Sequence, residues 1–281
     1  MTPLHFALIG GDTSYSRSPD IFQATFRRLG IEGRFELCSV GPGQLESCVR
    51  RLIADGVTGI SVTLPHKEAM LKYLDSADEL VEATGAVNSL KVVGNALHGY
   101  NTDCFGAGFA LKRAGFQACD GALILGAGGA ARAVVVSLYR DFGVRRFLVC
   151  DRTERRLRDM KYFFHQRHDY IDIQTVTPST YSSENMPASS LLVNCTPLGG
   201  SRFPDVSPIP TGLDWDKVAF YFDLNYNADN KAVSFAVRSG AKAIDGTTML
   251  VSQAVKSMEL WTGLSVEFES IYPDVFSGRL V

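Results

Sequence analysis

Short apolar runs alternate with amphipathic stretches along almost the whole chain, the pattern of an α/β architecture with a largely parallel sheet. Phe6–Gly10 reads as a first strand. Ser18-Pro19 then opens a helix, with serine as N-cap and proline at the first helical position. Phe35–Val40 is a second strand, Pro42 starts a helix through Ile53, and Val57–Thr63 is a third strand. Ala86–Val93 reads as a fourth and Asp103–Ala114 as a helix. A second series begins with a strand at Ala122–Leu125, a glycine-rich loop and a helix to Phe142. Arg146–Cys150 is the next strand, Glu154–His165 the next helix, and strands follow at Ile171–Val176, Leu191–Asn194 and Ala219–Leu224. Gly246–Gly263 is a long apolar helix. No internal repeat or low-complexity segment is present, and a domain boundary is expected near residues 103–120.

Composition narrows the class. The 281 residues allow one large domain or two ordinary ones, and 46% hydrophobic with 21% charged residues is a globular balance. A net charge of −2 argues against nucleic acid or an anionic membrane as partner. Six cysteines are scattered without a Cys-x-x-Cys pair, which suits a reducing compartment. With no basic leader and no apolar stretch of spanning length, the expected location is cytoplasmic. His165 and His168 lack further ligands at metal spacing and read as a solvated helix end, so no metal is expected.

The glycine-rich loop, Gly126-Ala127-Gly128-Gly129-Ala130-Ala131, lies between a buried strand and a helix. Glycines let the backbone approach a pyrophosphate, and the helix N-terminus offers free N–H groups and a positive dipole end. Dinucleotide binding is the expectation, with a ligand-free tight turn as the alternative. The next strand ends at Asp151, placed to accept from a ribose 2′-hydroxyl, which favours NAD. Arg152, Thr153 and Arg156 follow at once and suit a 2′-phosphate, which favours NADP. Arg155 and Arg158 fit a solvated helix start. The balance of charge points to NADP, with NAD as the alternative.

Val62-Thr63-Leu64-Pro65-His66-Lys67 carries a third strand into a lysine, and Asp103 lies 36 residues further on. If Pro65 opens a helix, Lys67 sits in its first turn, where the dipole disfavours the ammonium while Asp103 holds the proton on it. A proton donor beside a hydride carrier makes a carbonyl-reducing enzyme. Taken singly, Lys67 also fits a solvated surface charge, Ser18 a cap, Asn88 a turn residue and Gln253 a satisfied core amide.

Together the segments resemble one family. Ser16-Arg17-Ser18-Pro19, Val62–Lys67, Gly85-Ala86-Val87-Asn88, Asn101-Thr102-Asp103, Gly126–Ala130, Arg152-Thr153 with Arg156, and Asp245-Gly246 with Met249-Leu250 and Gln253 occur in the order found in shikimate dehydrogenases, over about residues 5 to 263. The resemblance implies NADP-dependent, reversible reduction of 3-dehydroshikimate to shikimate, in the pathway to aromatic amino acids. It implies an N-terminal α/β substrate domain, residues 1–103, rejoined by C-terminal helices at 247–281. It implies a Rossmann-type dinucleotide-binding domain at 104–246, with the active cleft between the two. Lys67 and Asp103 would be the catalytic pair. Ser16 and Ser18 would bind the substrate carboxylate, while Thr63, Asn88, Asp103 and Gln253 bind ring hydroxyls and Tyr226 lies at the substrate mouth. Gly126, Ala127, Gly128, Gly129, Ala130, Asp151, Arg152, Thr153, Arg156, Thr196, Leu224, Gly246 and Met249 would contact the cofactor. The expected assembly is a monomer or homodimer.

Three departures from the family pattern stand out. Ser61 replaces the usual asparagine two residues before Thr63, Asp151 replaces the usual asparagine before Arg152-Thr153, and Asn227–Lys231 replaces the usual proline- and threonine-bearing stretch after Tyr226. The alternatives are a related dehydrogenase of quinate or an amino-substituted analogue, a catalytically silent dinucleotide-binding protein, and a folate-type methylene dehydrogenase. The intact Lys67, Asp103, Asn88 and Gln253 oppose the silent protein, and the serine pair with Asn101-Thr102-Asp103 opposes the folate enzyme.

Overall fold

Apolar runs in the first hundred residues form a six-stranded mixed sheet. The computed structural model describes residues 3–168, 170–186 and 190–276. The first sheet contains β1 (Leu4–Gly10), β2 (Gly33–Ser39), β3 (Gly59–Val62), β4 (Ser76–Ala77), β5 (Ser89–Val93) and β6 (Ala96–Tyr100), in the order β2-β1-β3-β5-β6-β4. Its helices are α1 (Ser18–Leu29), α2 (Leu45–Ala54) and α3 (Glu79–Thr84), followed by α4 (Thr102–Arg113). Three of its pairings are parallel, as expected, and β5 alone runs antiparallel to its neighbours β3 and β6. The cause is a hairpin between β5 and β6, turned at Gly94 with φ +61°. Gly94-Asn95 between two alternating runs is a two-residue hairpin signal, so this element was readable.

The second sheet is wholly parallel. It contains β7 (Ala122–Leu125), β8 (Arg146–Cys150), β9 (Asp172–Val176), β10 (Ser190–Asn194), β11 (Val218–Asp223) and β12 (Lys242–Ile244), in the order β12-β11-β10-β7-β8-β9. The helices α5 (Gly129–Phe142), α6 (Glu154–Arg167) and α7 (Lys231–Arg238) connect these strands. This is the doubly wound dinucleotide-binding order, with its switch point between β7 and β10. The strands read as unbroken apolar runs because both faces are covered: all four residues of β7 and all five of β10 are buried. The chain then continues through α8 (Thr247–Thr262) and α9 (Phe268–Val275).

Two compact units result, one running to Gly106 and resuming at Val251, the other spanning Ala107–Leu250. Both transitions fall inside helices, α4 and α8, so no Pro- or Gly-rich stretch marks them in the composition. In the first unit Trp261 stacks on Phe22 at 5.4 Å between ring centroids and lies 4.8 Å from Phe6, which fixes the C-terminal half of α8. Gly59 is required beneath it, since a Cβ there would enter the indole ring. Gln253, Ser257 and Trp261 follow at i, i+4 and i+8, so the anchored tryptophan orients the two polar residues on one helix face.

Candidate active site

Two local expectations fail where the site is built. Lys67 lies in a turn, with no helix starting at Pro65; the nearest helical segment is a 3₁₀ turn at Ala69–Tyr73. Its backbone is held from outside: Val87 N–H donates to the Lys67 carbonyl at 3.0 Å, and buried His66 is pinned through Nε2 to the Val40 carbonyl at 2.7 Å. These contacts replace an α-helical ladder, so the lysine has no helix dipole behind it. Ser18 likewise is the first helical residue of α1, with Arg17 at the N-cap position. Ile21 N–H donates to the Arg17 carbonyl, which sets the cap one residue earlier than expected. The side chain of Ser16 accepts from Ser18 N–H at 3.2 Å and donates to the Ser18 hydroxyl at 3.1 Å, so the two serines form a pair.

The expected fourth strand also starts late, at Ser89, because Ala86–Asn88 leads into it with the Asn88 side chain turned to a polar cluster. Asn101 is the N-cap of α4: its Oδ1 accepts from Cys104 N–H at 3.3 Å, and its amide donates to the Ala86 carbonyl at 2.8 Å. That cap fixes Asp103 in the first turn of α4. Lys67 Nζ then donates to Asp103 Oδ2 at 2.5 Å, with side chains only 12% and 8% exposed. Asn88 Nδ2 donates to Asp103 Oδ1 at 2.9 Å, to Thr102 Oγ1 at 2.9 Å and to Gln253 Oε1 at 3.2 Å. Thr102 N–H returns a bond to Asn88 Oδ1 at 2.7 Å, and Thr102 Oγ1 lies 3.0 Å from Ser257 Oγ.

Lys67, Asp103, Asn88 and Gln253 are therefore one connected network, as an ammonium paired with a carboxylate and surrounded by neutral amides and hydroxyls. The Lys67 Nζ is held in a fixed direction by Asp103, whose other oxygen is held by Asn88. Thr102, read in the sequence only as part of Asn101-Thr102-Asp103, and Ser257, not singled out there, belong to the same network; the spacing of Ser257 four residues after Gln253 was the available signal. Thr63 leaves β3 with its N–H bonded to the Ile9 carbonyl, and its methyl group lies where a Cβ on Gly10 would stand, 2.5 Å away. That close approach requires glycine at position 10.

In the second unit Gly126 takes φ +102° as β7 ends, and its N–H donates to the Cys150 carbonyl at 2.7 Å. A Cβ on Gly126 would meet Thr196 Cγ2 at 3.1 Å, so the loop abuts the chain leaving β10 at the switch point. Gly128 is the N-cap of α5, leaving the N–H groups of Gly129, Ala130 and Ala131 without intrahelical acceptors. Arg155 and Arg158 pair with Asp159 and Glu154 along α6, whereas Arg152 and Arg156 are exposed and make no ion pair among the described residues. Thr153 is exposed and is the N-cap of α6. Leu224 and Gly246 touch through the backbone, and Gly246 N–H donates to the Asn225 carbonyl at 2.9 Å. Met249 is buried and Tyr226 half-buried.

A buried carboxylate, Asp223, organises the loops beside Thr196 and Tyr226. It accepts from Tyr221 Oη at 2.7 Å, Asn194 Nδ2 at 3.0 Å, Asn225 N–H at 2.9 Å and Asn225 Nδ2 at 2.8 Å. Burial raises its pKa above the ordinary aspartate value, against the pull of these donors. Among the described residues no group of three or more His, Cys, Asp or Glu is placed to hold a metal ion, and no helix is long and apolar enough to cross a membrane.

Comparison with known proteins gives a consistent picture. The family model of the shikimate dehydrogenase substrate binding domain matches residues 8–90. A shikimate dehydrogenase (NADP(+)) of Bacillus subtilis is 33% identical over 277 residues, covering 95% of this chain and 94% of its own. The fold matches a Thermus thermophilus shikimate 5-dehydrogenase in complex with NADP(H) and shikimate, with TM-score 0.80, 30% identity and coverage of 97% and 98%. It also matches a shikimate dehydrogenase in complex with NADP+, with TM-score 0.83, 27% identity and coverage of 97% and 94%.

Proposed function

The chain belongs to the shikimate dehydrogenase family, and from that premise we propose that it catalyses the NADP-dependent, reversible reduction of 3-dehydroshikimate to shikimate. The observation that carries the residue roles is the buried Lys67–Asp103 pair, with the second Asp103 oxygen held by Asn88. In the reducing direction Lys67 Nζ delivers a proton to the developing alkoxide oxygen. Asp103 accepts from the ammonium and fixes its direction, and Asn88 keeps the carboxylate from rotating. In the oxidising direction Lys67 receives the hydroxyl proton. Asn88, Thr63 and Gln253 bind ring hydroxyls, Ser16 and Ser18 take the substrate carboxylate through neutral hydroxyls, and Tyr226 is a further substrate-binding residue.

The second unit fits a dinucleotide: a left-handed glycine, three free helix N–H groups and two unpaired arginines suit a pyrophosphate and a 2′-phosphate. When bound, NADPH supplies the hydride. Gly126, Ala127, Gly128, Gly129 and Ala130 hold the pyrophosphate, Arg152, Thr153 and Arg156 the 2′-phosphate, and Thr196, Leu224, Gly246 and Met249 the nicotinamide end. The protein works in the cytoplasm as a monomer or homodimer, a location its six free thiols support.

Turnover of quinate is the second reading, and Ser61 favours it. Ser61 pairs with Ser89 across β3 and β5, on one face, and the buried Ser89 hydroxyl has no hydrogen-bond partner. Ser61 is half-buried and shorter than the family's usual asparagine, so a substrate bearing an additional hydroxyl would find room beside it. NADP- and NAD-linked oxidation of shikimate and quinate, run side by side, tests both. Shikimate with NADP is expected to give the highest kcat/KM. No shikimate turnover with either cofactor would overturn the main reading, and faster quinate turnover would favour the second.

A further inference from the structure

One side chain joins the glycine loop to the end of β8. Asp151 Oδ2 accepts from Ala127 N–H at 3.0 Å, and Asp151 Oδ1 accepts from Thr153 N–H at 2.8 Å. Ala127 is 3% exposed, so without Asp151 its N–H would be a donor on a buried residue with its acceptor removed. The second bond closes a turn with Arg152 at its centre and Thr153 as the N-cap of α6. One carboxylate thus shapes both the loop before α5 and the turn that exposes Arg152. It makes no ion pair with Arg152 or Arg156, which leaves both guanidinium groups available.

A ribose reader needs its carboxylate oxygens directed at the 2′- and 3′-hydroxyls. Here both oxygens are directed by backbone N–H groups of this chain. We propose that Asp151 is a positioning residue that clamps the glycine loop to the end of β8, and that it does not read the adenosine ribose. This rests on the second unit binding a dinucleotide. Its charge remains near the 2′ position in either role, so the NADP-to-NAD preference does not separate a clamp from a reader. Nucleotides that lack the 2′-phosphate do.

The test is calorimetric titration of the full chain with ADP and with 2′-deoxy-ADP, together with amide hydrogen exchange at Ala127. In the wild type the two nucleotides bind within about twofold of each other, because no side chain reads the 2′-hydroxyl. Asp151→Ala weakens both in parallel by about tenfold, the scale of one charge-assisted bond. The near-isosteric Asp151→Asn keeps one acceptor oxygen and falls between. In both variants Ala127 exchanges faster than in the wild type without any nucleotide present. The clamp is overturned if ADP binds the wild type more than about tenfold tighter than 2′-deoxy-ADP and Asp151→Ala erases that gap. Unchanged exchange at Ala127 overturns it as well. Failure of the wild type to bind either nucleotide strikes instead at the dinucleotide reading on which the clamp depends.

Discussion

Asp103 in the first unit meets other functional side chains, an ammonium on Oδ2 and an amide on Oδ1. Asp151 and Asp223 in the second unit meet mainly the fabric around them: backbone N–H groups, two asparagine amides and a tyrosine hydroxyl. The same residue type therefore does two different jobs. In the first unit polar side chains converge on one another, and the Lys67 ammonium proposed as the proton donor is held in a fixed direction. In the second they hold loops whose backbone N–H groups and exposed arginines would serve the dinucleotide proposed above. Proton transfer needs a side chain whose charge can change, whereas a pyrophosphate needs only N–H groups held still.

The largest effect that would break this contrast is at Lys67. Lys67→Ala should lower kcat by about 10²–10⁴-fold, the usual contribution of a positioned acid, with shikimate still binding in calorimetry. A loss confined to KM would make Lys67 a binding residue and remove the distinction between the units. Tyr221→Phe comes next. Deleting a donor to a buried carboxylate should cost the fold about 1–3 kcal/mol in urea unfolding. The sign of its pH dependence follows from burial, which raises Asp223, and from the tyrosine bond, which lowers it. Removing that bond raises Asp223 further, so the deficit should be greatest at neutral pH and shrink as pH falls through the raised titration range of Asp223, before the ordinary aspartate value is reached. A deficit that grows in acid would show that Asp223 is not the group concerned.

A smaller effect separates the cysteines of the two units. A hydrogen bond from Cys38 brings Cys48 down to about 7 against its own burial, aided by Arg51. In the second unit burial, then Asp151, pushes Cys150 up to about 11. Iodoacetamide labelling followed by peptide mass spectrometry should find Cys48 half-maximal near pH 7 and Cys150 inert until far higher pH. Equal profiles would show that side-chain donors do not set the first unit apart.

Much of the second unit was legible because its signals are local. The bounds of β8 and α5 follow from apolar runs that end at Asp151 and at Gly126–Gly129, and the separation of Arg155 and Arg158 from Arg152 and Arg156 follows helical spacing. Short elements escaped: α7 and β12 span eight and three residues. The Asn230 cap on Val233 was the clue to α7, hidden in a segment that read as an altered loop. In the first unit Pro65 misled, since a proline after a strand reads as a helix start while the backbone partners of His66 and Lys67 lie at Val40 and Val87.

The sequence by itself determined the α/β class, the glycine loop with its following helix, and the identity of the polar residues, because each is written in near neighbours or in residue type. Tertiary structure decided which of them touch. Lys67 and Asp103 are 36 residues apart, and Asn88 and Gln253 are 165 apart. Sheet pairing, the backbone bond from Val87 to Lys67, the Asn101 cap and the Trp261 anchor bring those segments together, and packing energy is spread over residues that carry no chemistry of their own. The direction of the Asp151 carboxylate was decided in the same way, by buried N–H groups whose need for an acceptor is a property of the fold.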